Sequence, residues 1–158
     1  MVWVAVVVGV IFFGTVFFGA PYVPTRTPQV KQAMLLFDNV RGQEIVELGA
    51  GTGGVSLALL DAGARVTAYE INPLLCLVLW LRTRRYSDSM TIRWGNFWSA
   101  NMSKYDGVYV FLASKFMGRL EEKLGQELRQ GARLVSYAFE LPGQKPTKTV
   151  GPMHLYEF

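Results

Sequence analysis

One short segment of the chain combines acidic residues with closely spaced glycines. Residues 44–54 read EIVELGAGTGG, so four glycines follow an apolar stretch that contains two glutamates. Glycines at this spacing allow the backbone to turn sharply into a helix, and they let a ligand lie against main-chain N–H groups at the start of that helix. The segment therefore predicts a ligand-binding turn between a strand and a helix.

Two ligands are compatible with this turn. The first, second and fourth glycines fit the G-x-G-x-x-G dinucleotide fingerprint, and Glu70, about 20 residues further on, could hold a ribose. A pyrophosphate-binding turn has little use for a carboxylate at Glu47, whereas the ammonium and sulfonium groups of S-adenosylmethionine would attract one. The acidic-x-Gly-x-Gly-x-Gly pattern over residues 47–53 therefore favours S-adenosylmethionine. An NAD(P)-dependent oxidoreductase stays as the alternative, and Glu47 could also cap the turn structurally.

Strands and helices that alternate along the chain would position this turn. Apolar runs and helical spacing predict strands over 44–48, 65–69, 90–93, 107–112 and 132–139, with helices over 54–62, 74–86 and 116–130. Strands separated by helices imply right-handed crossovers and a parallel sheet covered on both faces. Residues 145–150 and 153–158 could form a closing hairpin. The predicted fold class is therefore α/β.

The chain begins with an uncharged apolar segment. Residues 1–20, MVWVAVVVGVIFFGTVFFGA, carry no charged side chain. Twenty helical residues span about 30 Å, the thickness of a hydrocarbon core, and the basic n-region of a cleaved signal peptide is missing. Arg26, Lys31 and Arg41 follow the segment closely, and no basic residue precedes it. The positive-inside rule therefore predicts a single transmembrane helix, with the rest of the chain in the cytoplasm.

A proline-rich segment joins this helix to the remainder. Residues 21–28 read PYVPTRTP, and their three prolines stop a helix and hold the chain extended. Thr27 and Pro28 predict the N-cap and first position of an amphipathic helix that runs to about residue 39. The predicted organisation is a transmembrane helix over 1–20, a strap and amphipathic helix over 21–40, and a catalytic domain over 41–158.

Composition and charge narrow the function classes. With 158 residues and 51% hydrophobic content, the chain is long enough and apolar enough for one folded domain. One cysteine and one histidine are too few ligands for a Cys/His zinc site, and no metal is expected. The net charge of +4 is not concentrated in a long run, so it gives no case for a nucleic-acid partner.

Two motifs carry a resemblance to a known family. The segment ELGAGTG over 47–53 and the segment EINP over 70–73, which ends the second predicted strand, resemble the Rossmann-like S-adenosylmethionine-dependent methyltransferases. The resemblance implies a seven-strand fold, a parallel sheet with a C-terminal antiparallel hairpin, and S-adenosylmethionine as cofactor. It further implies that the cofactor is held by these residues: Glu47, Gly49, Gly51, Gly53, Glu70, Asn96 and Phe97. Of these, Glu70 would accept bonds from the ribose hydroxyls, while Asn96 and Phe97 would contact the adenine.

A narrower resemblance includes the start of the chain. The apolar segment, PYVPT over 21–25, the glycine motif and VFL over 110–112 resemble the membrane-anchored protein-lysine methyltransferases related to those that modify the ATP synthase c-subunit and the adenine nucleotide translocase. This resemblance implies a membrane partner through a single span, and a protein substrate in or near the membrane with an acceptor lysine.

Methyl transfer to an amine makes few demands on side-chain chemistry. The enzyme aligns a neutral amine with the methyl group and excludes water, and an apolar pocket helps the lysine lose its proton, so no dedicated base is required. We expect Tyr22 and Thr25 to flank the methyl-transfer region and Phe111 and Leu112 to form its floor. Tyr22 could instead anchor at the lipid interface, and Phe111 could be core. A non-catalytic membrane-tethered scaffold is the remaining alternative.

Overall fold

One seven-stranded sheet organises the part of the chain that the computed structural model describes, residues 25–158. Its spatial order is β3-β2-β1-β4-β5-β7-β6. Strands β1 to β5 are parallel, and β7 pairs antiparallel with both β5 and β6. The strands are β1 (Glu44–Leu48), β2 (Arg65–Glu70), β3 (Met90–Trp94), β4 (Gly107–Val110), β5 (Arg133–Tyr137), β6 (Lys148–Val150) and β7 (Met153–Glu157). The predicted parallel sheet with a C-terminal antiparallel hairpin is confirmed.

Helices cover both faces of this sheet. They are α1 (Thr27–Phe37), α2 (Gly54–Asp61), α3 (Pro73–Thr83) and α4 (Met117–Glu127), with short 3-10 turns at Arg84–Tyr86, Phe97–Ser99 and Ser114–Phe116. Alternation along the central strands assigns the faces: Ile45 lies in the core under α1 and α2, and its neighbour Val46 lies in the core under α4. Helix α3 packs on the α1 and α2 side, where Leu79 contacts Ala68.

The two most buried strands meet at the centre of the sheet. β1 and β4 lie side by side, with Ile45 opposite Gly107 and Leu48 opposite Val110. β4 is buried at every position and β1 at all but its first, as expected for a strand covered on both faces. The chain order reverses between these strands, because β2 and β3 extend to one side of β1 while β5 follows β4 on the other. A crevice at the carboxyl ends of such strands is where open α/β sheets bind ligands.

Several predicted boundaries shift by a few residues. The predicted helix over 74–86 divides into α3, which ends at Thr83, and a 3-10 turn. The hydroxyl of Thr83 donates to the Leu79 carbonyl at the point where the α-helix stops. The prediction of Thr27 as N-cap is wrong: Arg26 occupies that position with extended backbone and no side-chain cap, and Thr27 is the first helical residue.

The predicted membrane span lies outside the described residues. Residues 1–20 and the first four residues of the strap are not among those that the structure describes. Within residues 25–158, every helix is too short or too polar to cross a bilayer. The span and the domain boundary at residue 20 therefore stay predictions from the sequence.

Close packing at Gly107 generates a test of the fold. A Cβ there would lie 2.7 Å from Ile45 Cδ1 and 3.0 Å from Phe37 Cε1. We predict that Gly107→Ala lowers the free energy of unfolding by about 1 to 3 kcal/mol, because overpacking forces buried neighbours to move. Urea unfolding of the full chain in detergent solution measures this change.

Gly125 in α4 provides the matched control. It is exposed, and a Cβ there would meet nothing within 4 Å. Gly125→Ala should raise stability by about 0.5 to 1 kcal/mol, because alanine is the better helix former. If Gly107→Ala and Gly125→Ala changed the free energy of unfolding in the same direction, the packing described around Gly107 would be contradicted.

Candidate cofactor and methyl-transfer site

The carboxylate of Glu70 joins the turns that follow β1 and β2. Its Oε2 accepts from the main-chain N–H of Gly51 at 2.7 Å, and its Oε1 accepts from that of Asn72 at 2.8 Å. The N–H groups of Gly49 and Ala50 both donate to the Tyr69 carbonyl at 2.9 Å. The glycine turn is therefore fixed against the end of β2 by these hydrogen bonds, and a buried carboxylate accepts from both turns.

The glycine turn needs a backbone that other residues rarely adopt. Gly49, Gly51 and Gly53 have φ values of 78°, 56° and 76°, and this left-handed region favours glycine. At Gly53 a side chain is disfavoured for a second reason, because its Cβ would collide with Cδ1 of the buried Leu79 of α3. At Gly49 a Cβ would meet nothing within 4 Å, so open space lies above the turn.

Glu47 is a buried carboxyl group on β1. It is only 4% exposed, and its Oε2 accepts a short hydrogen bond from the Ser56 hydroxyl at the start of α2. Burial raises the pKa of Glu47 to about 7; the bond from Ser56 opposes this shift, and the nearby Glu70 adds to it. Near neutral pH the group is therefore poised between its neutral and its charged form. A cation placed beside it would favour the carboxylate.

Thr25 reaches the same region from the other end of the described chain. Its Oγ1 lies 3.3 Å from the hydroxyl oxygen of Tyr109 on β4, and its carbonyl oxygen lies over Gly54 at the start of α2. Burial raises the pKa of Tyr109, and the negative charge of Glu47 raises it further. The phenol is therefore kept protonated as a hydrogen-bond partner. The half-buried Thr25 and the buried Tyr109 and Glu47 form one polar group beside the glycine turn.

The two residues predicted as the floor of the pocket point to different places. Phe111 is half-buried beyond the end of β4, and its ring lies 4.4 Å from that of Tyr137 at the end of β5. Leu112 is 8% exposed and packs in the core under α4, with Met117 and Leu120 among the buried residues there. The structure therefore gives Phe111 an aromatic partner at the carboxyl edge and places Leu112 in the hydrophobic core.

The predicted adenine contacts follow β3. Asn96 is exposed, and its Oδ1 accepts from the Trp98 N–H at 3.0 Å, so it caps the 3-10 turn that begins with Phe97. Phe97 is half-buried, with its ring 4.7 Å from that of Trp98. Both residues lie at the carboxyl edge that carries Glu70. Tyr22, the remaining predicted site residue, lies outside the described residues.

Three residues of this region were missed by the sequence reasoning: Ser56, Tyr109 and Tyr137. A signal for Tyr109 was present, because a strand that contains the sequence GVYVF alternates its side chains and directs Tyr109 and Phe111 to the same face. Its register opposite Glu47 depends on the pairing of β1 with β4. Ser56 and Tyr137 have no local pattern that distinguishes them from other polar residues of the chain.

The described residues fit S-adenosylmethionine. The buried carboxylates of Glu47 and Glu70 suit a ligand that carries cationic groups and a ribose diol. Each oxygen of Glu70 keeps a further lone pair for a hydroxyl, and the space above Gly49 is open. No cluster of three or more His, Cys, Asp or Glu side chains in residues 25–158 is placed to hold a metal.

The raised pKa of Glu47 makes protein stability depend on pH. A carboxyl group with a pKa of about 7 in the folded chain and 4.5 in the unfolded chain favours folding while it is protonated. Its contribution to the free energy of unfolding is lost as the pH rises from about 4.5 to about 7. The full loss is about 3 kcal/mol. We predict that Glu47→Gln, which keeps an acceptor for Ser56, removes this loss. Urea unfolding of ligand-free protein at several pH values compares the two.

Glu122→Gln, on the exposed surface of α4, serves as control for this comparison. Its stability should follow the wild-type pH profile, whereas Glu47→Gln should gain on the wild type by about 2 to 3 kcal/mol between pH ~5 and ~8. Profiles that run parallel for all three proteins would contradict the shifted pKa.

Comparisons with known proteins identify lysine methyltransferases that are similar to this chain. The chain is 31% identical over 135 residues to the ATP synthase c-subunit lysine N-methyltransferase of Rattus norvegicus, and the match covers 83% of this chain and 61% of that protein. It is 35% identical over 134 residues to the adenine nucleotide translocase lysine N-methyltransferase of Mus musculus, with coverages of 83% and 58%. The chain thus spans about three fifths of the length of these relatives. A protein-lysine N-methyltransferase of Saccharolobus islandicus (strain REY15A) is 28% identical, with coverages of 82% and 83%.

A solved structure and a family model also match this chain. An RNA methyltransferase from Salinibacter ruber, solved with S-adenosyl-L-homocysteine, superposes with a TM-score of 0.80 at 24% identity, covering 85% of this chain and 93% of that one. This likeness confirms the predicted Rossmann-like methyltransferase fold. The family model of the ANTKMT methyltransferase domain matches residues 47–148, from Glu47 to the first residue of β6. The predictions of a methyltransferase domain and of S-adenosylmethionine as its cofactor are thereby confirmed, and the chain belongs to the ANTKMT methyltransferase domain family.

Proposed function

We propose that this protein transfers a methyl group from S-adenosylmethionine to the side-chain amine of lysine in a protein that lies in or near a membrane. The observation that carries the proposal is the glycine turn held to Glu70 beside the buried Glu47, in a chain whose relatives are named as lysine N-methyltransferases. S-adenosylmethionine supplies, when bound, an electrophilic methyl group on a sulfonium centre. The remaining chemistry consists of binding, alignment and exclusion of water.

The carboxylates take the binding role in this proposal. Glu70 would accept hydrogen bonds from a ribose diol while it keeps the glycine turn in place. Glu47 would face the cationic part of the cofactor, and the cation would lower its pKa from about 7 and bring it fully to the carboxylate form. Ser56 would continue to donate to that carboxylate and so hold its orientation.

The aromatic and hydroxyl groups would surround the lysine amine that accepts the methyl group. Phe111 and Tyr137 form an aromatic surface at the ends of two neighbouring strands. Tyr109 lies on the same face of the sheet as Phe111, and its hydroxyl approaches that of Thr25. An amine that enters such a surface loses hydration, which favours its neutral, nucleophilic form. Methyl transfer to the amine requires no dedicated base, because the lysine can lose its proton to solvent before the pocket encloses the amine.

The apolar start of the chain supports a membrane setting. Residues 1–20 are uncharged, and basic residues follow them but do not precede them. We propose that they form a single span that keeps the catalytic domain on the cytoplasmic face. The alternatives of an NAD(P)-dependent oxidoreductase and a non-catalytic scaffold gain no support, because the family match is to a methyltransferase domain.

Cofactor and acceptor can be tested together on the full chain in detergent. Calorimetric titration should show binding of S-adenosylmethionine and S-adenosylhomocysteine and none of NAD. Incubation with membranes and methyl-labelled S-adenosylmethionine should then place the label on lysine, located by mass spectrometry of the labelled protein. Glu70→Ala should weaken S-adenosylmethionine by about 1.5 to 3 kcal/mol for each charged hydrogen bond lost. It should also lower thermal stability, since two main-chain N–H groups lose their acceptor.

Glu122→Ala on α4 is the matched control for Glu70→Ala, and it should bind and transfer as the wild type does. Cofactor binding without labelled lysine, or with label on RNA instead, would reject lysine as acceptor and keep the cofactor. Unchanged affinity in folded Glu70→Ala would reject the cofactor site itself.

The contact between Thr25 and Tyr109 makes a further prediction. If it holds the strap over the site, Thr25→Ala and Tyr109→Phe should each lower the turnover number by about tenfold to a hundredfold, because misplacement of reacting groups is costly. The double variant should lose no more than either single one, because both changes break the same contact. Steady-state kinetics with thermal unfolding separates activity from stability.

Tyr156→Phe is the control for this prediction. The Tyr156 hydroxyl accepts from the Leu141 N–H at 3.0 Å on the α4 side of the sheet, so its removal should lower stability and leave turnover unchanged. Additive losses in the Thr25 and Tyr109 variants would show that the two hydroxyls act separately.

A further inference from the structure

Helix α3 has an apolar outer face. Its inner side packs on the sheet through Leu75 and Leu79. On the opposite side, Leu77, Val78, Trp80 and Leu81 are exposed by 52%, 37%, 55% and 48%. A helix that is apolar all round is normally covered on every side. These four residues, the outer face of α3, are therefore a surface that requires a partner.

An aromatic residue from the edge of the sheet extends this surface. Trp94 ends the edge strand β3 and is 72% exposed. Its indole Nε1 donates to the carbonyl of Ile71 at 3.0 Å, which fixes the ring beside the start of α3. Trp94 alternates along β3 with Met90 and Ile92, which pack against the cluster that contains Leu79. Trp94 and Trp80 therefore lie on the same side of the sheet. Tryptophan is enriched where protein meets the boundary between water and lipid.

Basic side chains border the surface. Arg82, Arg84 and Arg85 lie at the end of α3, and all three are exposed. Arg82 donates to the Thr52 carbonyl, and Arg85 pairs with Asp61 at 3.3 Å. The arrangement of leucine and tryptophan on a helix face with arginine at its border is that of a helix lying in a membrane interface. Arginines at such a border attract anionic lipid headgroups.

We infer that the outer face of α3, together with Trp94, rests on the surface of an anionic lipid bilayer, as a contact additional to the proposed span. Charge complementarity selects lipid over a second copy of this chain, because a copy would bring the same arginines to the interface. The start of the described chain agrees with this choice, since Thr25 follows the apolar residues 1–20 by only a few positions. The inference does not depend on the proposed activity.

The position of α3 links this surface to the cofactor site. The helix begins directly after Asn72, whose N–H donates to Glu70. Leu79, on its inner side, lies against Gly53 of the glycine turn, where a Cβ would otherwise be. A bilayer against the outer face of α3 would therefore lie one helix diameter, about 10 Å, from the turn that is proposed to bind the cofactor.

A probe on α3 tests the contact in the full chain. Binding to vesicles does not by itself test this contact, because the proposed span in residues 1–20 would hold the protein on lipid without it. In a Cys76→Ser background, Leu77→Cys is labelled with a polarity-sensitive thiol probe. Serine keeps a donor for the Glu70 carbonyl that Cys76 approaches at 3.4 Å. The matched control is Glu122→Cys with the same label, on exposed α4 across the sheet.

Both labelled proteins are reconstituted in phosphatidylcholine vesicles with or without about 30 mol% phosphatidylglycerol, and a quencher attached to the lipid chains is added. We expect quenching at position 77 to exceed that at position 122 severalfold in the anionic vesicles, and to fall in neutral vesicles or at high salt. Equal, weak quenching at both positions would overturn the inference. So would a concentration-dependent shift of probe emission in detergent without lipid quenching, which would indicate a second copy.

A charge variant tests the headgroup contact separately. Arg84→Glu should reduce quenching at position 77 in anionic vesicles and leave it unchanged in neutral ones. Lys148→Glu, an exposed charge on the opposite edge strand β6, is the matched control and should leave quenching unchanged in both. An equal effect of the two substitutions would show that net charge, rather than the border of α3, attracts the protein to lipid.

Discussion

The carboxylate of Glu70 is the interaction on which the site depends. It accepts one hydrogen bond from the turn after β1 and another from the turn after β2, so a single buried side chain sets the distance between the two turns. A buried carboxylate is costly unless such donors surround it. Because main-chain groups satisfy it in part, its remaining lone pairs are oriented before any ligand arrives. The same group therefore supports the fold and prepares the site.

A second constraint links the glycine turn to the neighbouring helices. Gly53 starts α2 in a left-handed conformation, and it has no room for a side chain because Leu79 of α3 lies against it. The turn proposed to bind the cofactor is thus also a position against which α3 packs. On the other side, Thr25 lies over the start of α2 and contacts Tyr109. Three elements distant in sequence are therefore held at one edge by short, direct contacts.

The sequence predicted the sheet and the glycine turn well, because both depend on local patterns. Buried strands read as apolar runs, and a turn with left-handed backbone requires glycines. The polar group around Glu47 was not predictable in the same way. Tyr109 becomes its neighbour through the pairing of β1 with β4, which joins residues far apart along the chain. Leu112 shows the same dependence, since one step along the chain beyond Phe111 moves a side chain to the opposite face.

Helix α3 shows why composition alone misplaces a surface. Its residues are apolar at nearly every position, which suggests a buried helix. The sheet, however, ends at β3, and no element of residues 25–158 covers the far side of α3, where Trp80 is 55% exposed. With the proposed lipid contact in place, the turn proposed to bind the cofactor would lie one helix diameter, about 10 Å, from the bilayer. Acceptor lysines close to the bilayer surface would then reach the methyl group without leaving that surface. The contact between the domain and the bilayer would therefore help to select the substrate.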